Sequence, residues 1–191
     1  MRPFHETAPT GPTAARAAAM QALVPVLETP RLILRAPRIE DFDAFAAMVL
    51  GPQGEHYGSC QTREDAWAEF IQLCVTWLLR GHGAWTVTDK ATSEVLGVVQ
   101  IGAEPGDQEP ELGWIVSEAA EGKGIAQEAA KAVREEALGG FALSSLVSYI
   151  HHRNHRSVAL AERLGAIRDQ AAEARLDDEF RVYRHAPGAA I

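Results

Sequence analysis

Residues 111–138 read ELGWIVSEAAEGKGIAQEAAKAVREEAL: an apolar strand, a loop with two glycines around a lysine, and an alanine-rich helix. A second apolar run, SSLVSYI, follows at 144–150. Two strands joined through a helix run parallel, and such crossovers are right-handed in about 98% of cases. Gly122 and Gly124 therefore lie where the C-terminal end of a strand meets the N-terminus of a helix. The first backbone N–H groups there have no intrahelical partner, and the helix dipole adds roughly half a positive charge, so the loop is suited to an anion.

Working outward, RLILRAP (31–37) alternates as a strand, with Arg31, Ile33 and Arg35 on one side and Leu32 and Leu34 on the other. Ordinary sheet roles are expected for both arginines. Phe42, Phe45, Ala46 and Val49 then follow helical spacing. A longer helix starts at Thr62, with Asp65 three residues on as an imperfect capping box, places Trp67, Phe70, Cys74, Trp77 and Leu78 on one face, and stops near Gly81. AWTVTDKATSEVLGVVQIGAE predicts a hairpin of strands Ala84 to Asp89 and Val95 to Ala103. ELGWIV is then a fourth strand. Residues 1–25 are rich in Ala, Pro and Thr and read as a mobile tail with one short helix from about Thr13 to Leu23, ahead of one domain spanning 26–187.

Composition narrows the partners. A chain of 191 residues with 47% hydrophobic content fits one core, by the prior of roughly 100 to 200 residues per domain. A formal charge of -8 offers no general field for phosphate backbones or anionic lipid, so nucleic acid and membranes are not expected partners and a cationic amine is favoured. No apolar run approaches the roughly 20 residues of a membrane span, and no secretory signal is evident, which points to the cytoplasm. Cys60 and Cys74 form no ligand motif and suit a reducing compartment.

The anion can be narrowed by spacing. A P-loop needs glycine five residues before Gly122 and Ser or Thr after Lys123; Ser117 and Gly124 stand there. A dinucleotide fingerprint needs glycine or alanine at 127, which is Gln127. A plain tight turn stays open. A second segment, NHRSVALAERLGA (154–166), supplies context. E-G-K-G-I-A followed by N-x-x-S-x-x-L-x-x-x-L-G-A resembles the GCN5-related N-acetyltransferase family, specifically its ribosomal-protein N-terminal acetyltransferase branch, over about Leu27 to His185. RLILRAP and EDFDAF look like that branch's opening strand and helix.

The resemblance implies a mixed α/β fold, with a central, mostly antiparallel sheet, one splayed parallel pair and four main helices. It implies acetyl-CoA as cosubstrate, with no metal, and transfer to a primary amine of a peptide N-terminus, a polyamine or another small amine, by direct attack in a ternary complex. In the family signature, Arg/Gln-x-x-Gly-x-Gly/Ala wraps the coenzyme pyrophosphate. Gly124 and Ala126 match; Gly122, Lys123 and Ile125 fill free positions. Glu121 replaces the first residue, so its carboxylate should turn away or pair with Lys123. Ile115 and Val116 fall where backbone N–H groups hold the pantetheine arm.

Acetyl transfer needs a base, a donor for the developing oxyanion and a proton for the thiolate. Glu109 and Glu111, two apart on one strand, are read as sharing a face. Glu111 is the base candidate, and Asp169 after L-G-A competes with it. The family tyrosine that serves as thiolate acid corresponds to Ala161 here, so Ser157 becomes the acid candidate, with simple helix capping as the alternative. Asn154 would hold the pantetheine or order the helix start. Trp114 is a candidate wall of the acceptor cleft; Tyr183 reads as packing. His151, His152 and His155 read as a surface cluster, and the cysteines do not suggest a covalent acetyl-cysteine. A homodimer is an admissible assembly. The other classes left open are an acetyl-CoA-binding regulatory module without turnover and an assembly module docking through residues 1–25.

Overall fold

The computed structural model describes residues 2–57, 60–176 and 179–185. Eight strands build one sheet: β1 Leu27–Glu28, β2 Leu32–Arg35, β3 Ala84–Asp89, β4 Val95–Gly102, β5 Glu111–Val116, β6 Val147–His151, β7 Ile167–Arg168 and β8 Phe180–Arg184. Their spatial order is β1-β2-β3-β4-β5-β6-β8-β7. Every neighbouring pair is antiparallel except β5 and β6, the pair that the 111–150 reading makes parallel. The helices are α1 Gly11–Gln21, α2 Phe42–Leu50, α3 Arg63–Arg80, α4 Ile125–Leu138, α5 His155–Arg163 and α6 Gln170–Glu173.

Two apolar layers sandwich the sheet. On one face, Leu32, Leu34, Trp85, Val99, Ile101 and Leu112 pack with Ile125, Ala129, Ala130 and Val133 of α4 and Leu160 of α5. On the other, Val98 and Ile115 pack with Phe42, Phe45, Val49, Phe70 and Leu73 of α2 and α3. The small residues of α4 let that helix lie close on the sheet, and the strand alternation supplies a side chain to each layer in turn.

The ends of α3 follow from local chemistry. Thr62 Oγ1 accepts from the Asp65 N–H at 3.1 Å while Asp65 Oδ2 accepts from the Thr62 N–H at 2.8 Å, a reciprocal capping box. Gly81 ends the helix at φ 73°, a left-handed position that glycine occupies without Cβ strain. The expected apolar face is displaced: α3 buries Ala66, Phe70 and Leu73, and Leu78 points outward at 70% exposed.

Three other expectations change. β5 begins at Glu111, after Pro110, which has no N–H to give to a ladder; Glu109 therefore lies outside the strand and shares no strand face with Glu111. Residues 2–25 do not trail from the domain: Arg63 donates to both oxygens of the buried Glu6 at 2.7 Å, His5 packs edge-on against Trp67, and Trp85 Nε1 donates to the Pro25 carbonyl at 2.7 Å. Short β1 and β7, each two residues, extend the sheet beyond the strands that alternation marks. The expected domain end at 187 lies outside the described residues.

Candidate active site

β5 and β6 share a single registered pair, Glu111 with Val147, and beyond it the strands part. Near the parting point, Ser148 Oγ donates to the Leu112 carbonyl at 2.6 Å, and the Tyr149 N–H reaches Glu111 Oε1 at 3.3 Å. The gap opens into a cleft of about 1500 Å³, lined by β5, the glycine loop, the start of α5, the β4–β5 loop and residues 52–57. Backbone groups alternate in direction along a strand. The Ser117 N–H donates to Leu96 of β4, the Ile115 carbonyl faces Gly97 of β4, and the Leu112 carbonyl faces β6. By that alternation the backbone groups of Trp114 and Val116 face the gap, while those of Ile115 face β4. Only Val116 of the two expected arm-binding residues thus presents its N–H to the cleft.

The glycine loop sits at one end of this gap. Gly122 and Gly124 have φ of 68° and 75°, and Gly124 is the N-cap of α4. Two left-handed residues turn the chain sharply enough to bring the free N–H groups of α4 toward the cleft. A Cβ added at Gly122 would meet nothing within 4 Å, so that side of the loop is open. Arg31 latches the loop from outside: Nη1 donates to the Lys123 carbonyl at 2.9 Å, and Nε donates to Glu128 of α4 at 2.7 Å. That latch was invisible in sequence, where Arg31 reads as an ordinary sheet residue; its partners lie more than ninety positions away. Glu121 turns aside to Arg156 of α5, at 2.6 Å, rather than to Lys123. The Glu121 carboxylate is thereby paired beside the glycine loop.

Across the cleft, Asn154 Oδ1 accepts from the Ser157 N–H at 3.1 Å, which caps α5. Trp114 Nε1 donates to Ser157 Oγ at 3.3 Å. The indole fills an acceptor lone pair of that hydroxyl, leaving its proton to be donated elsewhere. Glu111 lies partly buried at the parting point. Burial, together with Asp107 and Glu104 nearby, pushes its carboxyl up to about 8. Asp169 does not join this group: it caps α6 and pairs with Arg184 at 2.8 Å, and the Ala172 N–H and Arg184 hold it below the usual carboxylate range. Glu109 shares Arg184, which holds it down to about 2. Of the carboxylate candidates, the fold brings only Glu111 into the cleft.

Residues 31–167 match the sequence model of the acetyltransferase (GNAT) domain. The chain belongs to the GNAT acetyltransferase family. It is similar to the acetyltransferase from Agrobacterium tumefaciens, at 36% identity and a TM-score of 0.81, with 86% of this chain and 95% of that one covered. A GnaT-family protein from Bordetella pertussis matches at 27% identity and a TM-score of 0.67, over 85% of this chain and 100% of that one. RimL, a ribosomal L7/L12 alpha-N-protein acetyltransferase solved in complex with coenzyme A, shares the fold at 18% identity and a TM-score of 0.65, over 84% and 97%.

As a GNAT acyltransferase the chain uses an acyl carrier and an acceptor, and its remaining conspicuous residues divide accordingly. Burial pushes the Cys74 thiol up to about 12, and burial beside Glu69 and Asp65 raises that of Cys60, so neither is held as a thiolate nucleophile. His151 stacks between His56 and His152, at ring distances of 5.2 and 4.8 Å. Among the described residues no three His, Cys, Asp or Glu side chains are grouped to hold a metal ion. Tyr183 is buried with Ile150, Ala161 and Ala166 and packs rather than facing the gap. No helix among the described residues is long and apolar enough to cross a membrane.

Cleft residues that the sequence reading missed are Tyr57, Glu69, Glu104 and Asp107, which come from three separate stretches of chain. No local spacing joins them; only the wrapping of α3 and the β4–β5 loop around β5 does.

Proposed function

We propose that this chain moves an acetyl group from acetyl-CoA to a primary amine by direct attack in a ternary complex, as in the ribosomal-protein N-terminal acetyltransferase branch. The observation that carries the reading is the parting of β5 and β6 at Glu111, with the left-handed glycine loop at one end of the gap and Ser157 across it. The N–H groups at the start of α4 and the loop formed by Gly122, Lys123, Gly124, Ile125 and Ala126 would hold the pyrophosphate, and Glu121 acts by its pair with Arg156. The gap-facing N–H groups of Trp114 and Val116 would grip the pantetheine arm and polarise the thioester carbonyl. Asn154 serves the coenzyme by fixing the start of α5.

Glu111 takes the proton that the acceptor ammonium must lose before its nitrogen can attack, directly or through water. A carboxyl near pH 8 is well matched to that task. The new C–N bond forms as the C–S bond breaks, and the Ser157 hydroxyl, positioned by Trp114, supplies a proton to the departing thiolate.

The test is thiol release from acetyl-CoA against peptides, polyamines and aminoglycosides. Amine-dependent release well above a Glu111→Gln, Ser157→Ala double variant is expected. Tight coenzyme binding with release no faster than that background would overturn the catalytic reading in favour of a binding module.

A further inference from the structure

The β5–β6 ladder stops where side chains take the place of its next rung. The Val147 N–H donates to the Pro110 carbonyl at 3.0 Å, and the Glu111–Val147 register then calls for the Tyr149 N–H to reach the Leu112 carbonyl. Neither group does so. The Leu112 carbonyl accepts from Ser148 Oγ at 2.6 Å, and the Tyr149 N–H turns to Glu111 Oε1 at 3.3 Å. Both peptide groups are thereby satisfied, so the strands part without leaving either one unpaired.

Ser148 is held from its other side as well. Its Oγ lies 2.9 Å from His185 Nε2, and each of the two residues is 1% exposed. A carbonyl only accepts, so the hydroxyl proton is directed at Leu112 and the imidazole must be the donor, with its proton on Nε2. Nδ1 then carries a lone pair, and it is buried with no hydrogen-bond partner among the described residues. Burial beside Arg134 of α4 pushes the imidazole down to about 4, so it stays neutral where Glu111 titrates. The ring is anchored directly after β8, where the His185 N–H donates to the Leu146 carbonyl at 2.9 Å. For stability alone an apolar side chain would serve this place as well, because a buried polar nitrogen without a partner is unfavourable.

We infer that His185 and Ser148 are positioning residues: the imidazole fixes the hydroxyl on Leu112, the hydroxyl stands in for a strand N–H, and the Tyr149 N–H is left to orient Glu111. Without them Tyr149 rejoins Leu112. By the same register the following rung joins the Trp114 N–H to the Tyr149 carbonyl, which withdraws one of the N–H groups that face the gap. The consequences for coenzyme and catalysis rest on the acetyl-transfer reading above; the exchange of hydrogen bonds does not.

The experiment follows the Tyr149 amide NMR signal of the full chain across pH 6 to 9. Coenzyme A titrations and amine-dependent thiol release from acetyl-CoA are measured beside it, for wild type, Ser148→Ala, Ser148→Thr, His185→Phe and His185→Gln. An amide bonded to a carboxylate shifts as that carboxylate ionises, so the wild-type signal should move with a midpoint near 8. Asp107 and Glu104 of the β4–β5 loop, Glu69 of α3 and Tyr57 also face Glu111, and Glu111→Gln isolates the part of the movement that is Glu111's own. Ser148→Ala should lose most of that movement and weaken coenzyme A binding about fivefold or more, and Ser148→Thr, which keeps the hydroxyl, should restore both. His185→Phe should behave as Ser148→Ala does, with part recovered in His185→Gln, whose amide donates where Nε2 does; the two Ser148 variants suffice if the phenylalanine variant does not fold. A Tyr149 signal that titrates in Ser148→Ala as in the wild type, or coenzyme affinity within about twofold of it, overturns the proposal. Loss of the Tyr149 response in Ser148→Ala, with no thiol release even from the wild type, supports the positioning pair and overturns the acetyl-transfer reading instead.

Discussion

At Glu111 the competing effects can be ranked. The Tyr149 N–H favours the ionised form, but burial and the Asp107 and Glu104 carboxylates outweigh it. The folded carboxyl therefore titrates near 8 against about 4.3 in an unfolded chain. Between those values the folded state binds more protons than the unfolded one, so this group's contribution to stability falls as pH rises from about 4.5 to 8. Glu111→Gln, which cannot ionise, should melt above the wild type at pH 8, with the two midpoints converging near pH 4.5; thermal melts across that range check it. A variant that melts lower at pH 8 would show that the carboxylate is stabilised. At Trp114, losing the indole donor in Trp114→Phe should lower kcat about fivefold, corresponding to about 1 kcal/mol, with coenzyme affinity nearly unchanged. Single-turnover rates beside coenzyme titrations separate the two effects. The position of Glu111 in the cleft could be read from its place on the strand beside the splay, and that of Ser157 at the start of α5 from the N-x-x-S motif. Trp114's bond to Ser157 could not, since the two are joined only by the packing of α5 against β5.

At the scale of elements, local chemistry wrote the helices plainly. The α3 cap reads from Thr62 and Asp65 alone, and Thr62→Ala should destabilise the protein by about 1 kcal/mol in urea titrations. The facing of that helix was less legible, because Leu78 is apolar yet outside the layer that Phe70 and Leu73 enter. Two-residue strands carry no alternation to detect, and Pro110 moved the start of β5 past Glu109. The glycine loop was legible as a turn between strand and helix, but its fastening depends on Arg31 and Arg156 from distant elements. Arg156→Ala leaves the Glu121 carboxylate unpaired beside the cradle and should weaken coenzyme A binding, whereas Arg156→Ala combined with Glu121→Gln should restore most of it. Calorimetric titration of the four proteins in that cycle measures the coupling. Equal losses in the single and double variants would mean that Arg156 binds the coenzyme itself.

At the scale of the whole molecule, the parallel crossover from β5 through α4 to β6 sets the cleft, because a sheet otherwise antiparallel parts at its one parallel seam. Topology was legible through 111–150, since a strand, helix and strand of those lengths admit little else. Charge distribution was not: a net charge of -8 says nothing of where the carboxylates converge, and Glu69, Glu104 and Asp107 meet Glu111 only in the folded chain. We propose Glu111 in this cleft as the base for acetyl transfer. The most direct test follows amine-dependent thiol release from acetyl-CoA by wild type and Glu111→Gln, across pH 6 to 9, with coenzyme affinity measured in parallel. The wild-type kcat/KM should rise with pH to about 8 as the carboxyl ionises, and Glu111→Gln should lose about a hundredfold or more in kcat while binding coenzyme as tightly. A Glu111→Gln protein within about threefold of wild type, with the same pH profile, would contradict it.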